Sequence, residues 1–105
     1  ASLETRDVNR AQRLTACMTN RYQQMTGLYF HTNSITPDMT QYHAFSEIDP
    51  NTITAIIETG FLYLDQNILT KQTDVVAEGI TQGILCFLNN ESVLPTSIPL
   101  PTILP

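Results

Sequence analysis

Ile53-Thr54-Ala55-Ile56-Ile57-Glu58-Thr59-Gly60-Phe61-Leu62-Tyr63 is the stretch on which the fold reading turns. Ile53 to Glu58 is short, β-branched and apolar on both faces of an extended chain. That pattern suits a central strand of a covered sheet better than a half-exposed edge. Glu58 then stands at the end of the strand, directly before Thr59 and Gly60, where buried strands commonly deliver a residue into an active site. It is the strongest candidate for chemistry in the chain. The structural alternative is a carboxylate that only caps the following turn, and a lone carboxylate catalyses little.

Outward from that stretch the pattern becomes helical. Towards the N-terminus, Val8, Ala11, Leu14, Met18, Tyr22 and Met25 recur at spacings of three and four, which predicts a helix over 5–26 stopped by Gly27. Leu28 to His31 is aromatic and strand-like, and Asn33 to Asp38 reads as a loop. Tyr42 to Ile48 fits a short strand or a helical turn, and Asp49-Pro50-Asn51 is a turn. Beyond a loop around Asp65, a second helix is expected from Thr73 to Leu88. Thr73 is its candidate N-cap, with Asp74 in the first turn. Val76, Ile80, Gly83 and Phe87 form its buried stripe, with Ile84 and Leu88 beside it. Gly79 and Gly83, four apart, make a smooth patch for close approach to another backbone, expected here to be the sheet. The fold class expected is therefore α/β, a partial three-layer sandwich with a mixed or mostly parallel sheet flanked by helices.

Composition bounds the partners. The chain has 105 residues, enough for one small domain, and a net charge of -5. An acidic chain argues against nucleic acid as the main partner. Arg6, Arg10, Arg13 and Arg21 offset Glu4 and Asp7 over residues 1–27, whereas Lys71 faces eight acids in the remainder. Arg6, Arg10 and Arg13 share one helix face, read as a solvated one. No apolar run is long enough to span a bilayer, and no signal peptide is recognisable. The opening Ala-Ser-Leu-Glu reads as that of a processed or excised chain. Cys17 and Cys86 fall among apolar neighbours on the two helices and are expected to be buried thiols, with a disulfide as the alternative. Asn90-Glu91-Ser92 matches a glycosylation acceptor, a pattern short enough to arise by chance. From Ser92 to Pro105 the chain becomes an apolar, proline-rich extended tail that should lie against its own domain, a neighbouring subunit or a further part of the protein.

The order of these elements resembles the C-terminal half of the zinc-dependent N-acetylmuramoyl-L-alanine amidases, which cleave peptidoglycan. The resemblance rests on Thr54-Ala-Ile-Ile-Glu-Thr-Gly-Phe-Leu62, on Val76-Ala-Glu-Gly-Ile-Thr-Gln-Gly-Ile-Leu-Cys-Phe87, and on the helix over 5–26 with its terminal glycine. It covers roughly residues 5–89, which makes 1–91 an amidase-like part and 92–105 a tail. It implies that Glu58 is the general base assisting a zinc-bound water at the amide between the muramoyl lactyl group and L-alanine. The family's ligands, two histidines and a glutamate, precede the matched region, and the chain has neither a Gly-His-Gly nor a Ser-Ile-His segment. The resemblance therefore implies zinc held only through residues outside this chain, a missing N-terminal half or neighbouring subunits. It also implies peptidoglycan as substrate and an extracellular or cell-envelope setting. His31 and His43 lack the tight spacing of helical zinc motifs and read as surface or cleft-lining residues, with His43 a candidate substrate-side contact. Two non-catalytic readings stand beside the enzymatic one. They are a structural subunit of an oligomer or filament, and a wall-binding module.

Overall fold

The computed structural model describes residues 6–28 and 43–93. Among these residues four helices follow in order: α1 (Val8–Thr26), α2 (His43–Ser46), α3 (Gln66–Lys71) and α4 (Thr73–Leu88). No strand occurs among the described residues, so the expected α/β sandwich and its sheet are replaced by a helical fold. Its centre is an antiparallel pair, α1 on α4.

Both long helices arise where the apolar spacing places them, and their ends follow from local chemistry. Asp7 caps α1 by accepting from the Arg10 N–H at 2.9 Å. Gly27 closes it in the left-handed region at φ 72°, its N–H bonded to the Gln23 carbonyl. At the far end of α4, Asn90 takes the left-handed position at φ 55°. The Glu91 N–H bonds to the Cys86 carbonyl and the Asn90 N–H to that of Phe87. That pair of bonds is the Schellman arrangement, with asparagine where glycine is commoner. Thr73 is the first residue of α4 rather than its cap; Gln72 precedes it and supplies no side-chain cap bond.

The glycine pair on α4 does allow close approach, but the backbone it meets is α1. A Cβ on Gly83 would lie 2.9 Å from the Met18 Cα, and one on Gly79 3.2 Å from the Tyr22 Cα. Between these contacts and the chain ends, Cys17 and Cys86 are fully buried and joined as a disulfide, with 5.6 Å between their Cα atoms. The expectation of two free thiols is thereby corrected. The antiparallel register brings the two cysteines face to face, a relation that neither helix's own periodicity contains. Among the described residues the buried apolar ones are Ala11, Cys17, Tyr22, Phe45 and Cys86, with Gly79 and Gly83 at the interface. Of the expected stripe Gly83 is buried and Val76, Ile80 and Phe87 are half-buried, while Ile84 and Leu88 beside it are exposed, as is Met25 on α1.

The decisive stretch behaves differently from its reading. Residues 53–60 form no regular element, and none of Ile53 to Glu58 makes a hydrogen bond among the described residues. Strand propensity is a preference for a pleated surface with neighbours, and among the described residues no neighbouring strand is present. Tyr42 to Ile48 resolves in part: His43–Ser46 is a single helical turn, with Tyr42 outside the described residues. The turn at Asp49-Pro50-Asn51 is as expected, with the Asp49 carboxylate accepting from the Asn51 N–H at 2.8 Å. The strand expected at Leu28–His31, apart from Leu28, lies outside the described residues. So do the loop at Asn33–Asp38, His31 and the tail beyond Val93.

Candidate functional site

Glu58 sits between two anchored points. On its N-terminal side the run passes over α1, where Ile53 and Ile56 line an apolar groove with Leu14, Met18, Phe45 and Phe87. The groove encloses about 430 Å³ and reaches across to α4 at Phe87 and Ile84. On its C-terminal side the chain is held to α1 by the Tyr22 hydroxyl, which donates to the Thr59 carbonyl at 2.6 Å. Burial pushes the Tyr22 phenol above its ordinary value, hydrogen bonding at Thr59 opposes this, and the negative charge of Asp65 adds to the rise.

The turn after Glu58 is closed by another residue. Asp65 accepts from the Phe61 N–H at 2.7 Å, and its own N–H bonds to the Phe61 carbonyl at 2.9 Å. Glu58 is exposed and makes no hydrogen bond or ion pair among the described residues. The structural explanation considered for Glu58, capping of the following turn, therefore belongs to Asp65. Glu58 lies two residues beyond Ile56, the last residue of the run to line the groove, so the carboxylate and the cavity are neighbours in sequence without being one site.

His43 is not brought to Glu58. It is 87% exposed on α2, and its Nε2 pairs with Glu47 Oε1 at 3.0 Å, one helical turn away. Among the described residues no group of three or more histidine, cysteine, aspartate or glutamate side chains is arranged to hold a metal ion. With the cysteines consumed in a disulfide and His43 paired to Glu47, these residues do not fit a zinc site. No helix of the described residues is long and apolar enough to cross a membrane.

The arginines read as a solvated face are partly structural. The Arg13 guanidinium donates to the Cys86 carbonyl at 3.2 Å, placing a cation at the C-terminal end of α4, where the helix dipole favours it. Arg10 lies over the Phe87 ring at 5.5 Å. Arg21 pairs with Glu91 at 3.1 Å and also donates to Asn20 and to the Ser92 carbonyl. The Arg21 and Asn89 hydrogen bonds hold the Glu91 carboxyl below its ordinary range. These residues tie the chain that leaves α4 back to α1. Their spacing on α1 was visible in the sequence; their partners, some seventy positions away, were not.

Comparison with protein-family models, with curated proteins and with solved structures returns no match for this chain.

Proposed function

We propose that the chain is part of an extracytoplasmic peptidoglycan amidase and supplies Glu58 as its general base. The observation that carries this reading is a carboxylate at the end of an apolar run, exposed and without a partner among the described residues, beside a residue anchored by Tyr22. The likeness of residues 54–62 and 76–87 to the amidases supports it. The helical fold does not, so the reading rests on Glu58 and those stretches alone.

In this role the Glu58 carboxylate takes a proton from water as its oxygen attacks the carbonyl carbon of the muramoyl–alanine amide. The C–N bond then breaks, and the same carboxyl returns the proton to the departing amine. Any metal that the reaction uses would be held by residues other than those described. The setting is supported by the disulfide, since such bonds persist in secreted and cell-envelope compartments rather than in the cytosol.

The test is release of L-alanine-terminated peptides from peptidoglycan by the protein as the cell makes it, against a Glu58→Gln variant. The variant should lose activity by about 100-fold or more while keeping its unfolding midpoint, because the carboxylate holds none of the described residues in place. Undiminished turnover in the variant, or uncut peptidoglycan with the parent protein, ends the reading. Muropeptide binding without turnover would point to the wall-binding alternative instead.

A further inference from the structure

Cys86 stands in the last turn of α4, and its sulfur is wholly buried. The chain that leaves the helix packs against it. Asn90, at φ 55°, folds that chain back, and the Glu91 N–H reaches the Cys86 carbonyl at 2.9 Å. The Glu91 carbonyl then lies 4.0 Å from the Cys86 Sγ, a packing contact, since a disulfide sulfur has no hydrogen to donate. Residues 91–92 are held in this place from α1. Arg21 follows Cys17 by one helical turn and so shares its face. It pairs with the Glu91 carboxylate at 3.1 Å and donates to the Ser92 carbonyl at 3.1 Å, with 17% of its side chain exposed. Asn89 donates to the same carboxylate at 3.3 Å. One turn before Cys17, Arg13 binds the Cys86 carbonyl. The close backbone contacts of the helices, Gly83 on Met18 and Gly79 on Tyr22, involve neither Arg21 nor Glu91. Releasing Arg21 would therefore lift residues 91–92 without parting α1 from α4.

We infer that residues 91–92 are a cover over the Cys17–Cys86 bond, latched by Arg21, and that opening of this cover sets the rate at which an external thiol reduces the bond. A thiolate must reach a sulfur atom to break a disulfide, so a buried bond reacts only from an opened state. Local openings need less free energy than global unfolding, and the smallest one that bares Cys86 breaks the contacts of Arg21. A dithiol such as dithiothreitol then attacks the Cys86 Sγ as its thiolate. The S–S bond breaks, Cys17 leaves as a thiolate, and a mixed disulfide joins Cys86 to the reductant. The second thiol of the reductant displaces Cys86 in turn. The protein gains two electrons and the two protons of the dithiol, and the reductant closes into a cyclic disulfide. Arg13 and Arg21, one turn either side of Cys17, place positive charge where it favours the departing thiolate. The latch acts on the rate of exchange and holds whether or not Glu58 is catalytic.

The test is the rate of reduction of the full chain by dithiothreitol without denaturant, read by alkylation of the freed thiols and intact mass. Arg21→Ala should be reduced about tenfold faster than the parent, or more, while its helix content before reduction is unchanged by circular dichroism. Glu91→Ala removes the latch from the other side and should also react faster; it serves if Arg21→Ala does not fold. Because both residues act through one contact, the double variant should be little faster than Arg21→Ala alone. Tyr22→Phe is the control, since it loosens the fold at Thr59 and leaves the cover untouched. Its rate should match that of the parent. An Arg21→Ala rate equal to the parent's overturns the proposal. So does a Tyr22→Phe rate raised as far as that of Arg21→Ala, which would mean that the bond is reached only through global unfolding.

Discussion

Gly83 and Tyr22 are the two residues at which single atoms decide how α1 and α4 meet. At Gly83 the constraint is backbone on backbone: an added Cβ would lie 2.9 Å from the Met18 Cα, which cannot swing aside as a side-chain tip can. Gly83→Ala should therefore cost about 1–3 kcal/mol through overpacking, against a gain of about 1 kcal/mol in helix propensity. Urea denaturation should show a lower midpoint; a raised one would mean that the helices are not in contact there. At Tyr22 the hydroxyl couples α1 to the residue after Glu58. Tyr22→Phe removes that hydrogen bond and should cost about 1 kcal/mol at neutral pH. It should also change the alkaline limb of stability. The folded-state pKa of Tyr22 is raised above its ordinary value of 10.0, so its contribution is complete below that value and is lost as pH rises through the folded one. Stability of the parent should fall in that window, and that of Tyr22→Phe should fall less. Equal slopes in a pH series of denaturation curves would refute the assignment.

At the scale of elements, what was legible follows from what each pattern contains. The periodicity of α1 and α4 is local information, and both helices appear within a few residues of their expected bounds. Gly27 as the stop of α1 and the close-approach role of Gly79 and Gly83 were likewise readable, because each depends on the glycine itself. The partner in that approach was not readable. A smooth helix face is indifferent to whether a sheet or a helix lies against it, and here it is α1. The run at Ile53–Glu58 failed for the complementary reason. Its composition states a preference for pleated neighbours, but a strand exists only as a pair, and among the described residues nothing pairs with it. For the candidate site, the sequence singled out Glu58; that Asp65 rather than Glu58 closes the turn depends on a bond four residues long that no strand reading anticipates. The pairing of Cys17 with Cys86 depended on a helix register of the same hidden kind.

For the molecule as a whole, the thin core and the disulfide belong together. Among the described residues few side chains are fully buried, and the largest of these are the two cysteines themselves. Closing a loop with a sequence separation of 69 restrains the unfolded chain by about 4 kcal/mol in the chain-entropy account. A stability of that order is a large part of what a small domain possesses. Thiol reduction, or the Cys17→Ala/Cys86→Ala double variant, should therefore lower the thermal midpoint steeply and leave much of the chain unfolded at physiological temperature. Circular dichroism with and without reductant measures this, and unchanged melting would show that apolar packing alone suffices.

The same bond makes a covalent ring of everything from Cys17 to Cys86, and Tyr63 lies on that ring in an exposed turn. A single cut there by chymotrypsin should open the ring without separating its halves. The nicked product should run as one species on a non-reducing gel and as two fragments after reduction. Two fragments on both gels would show the cysteines unjoined.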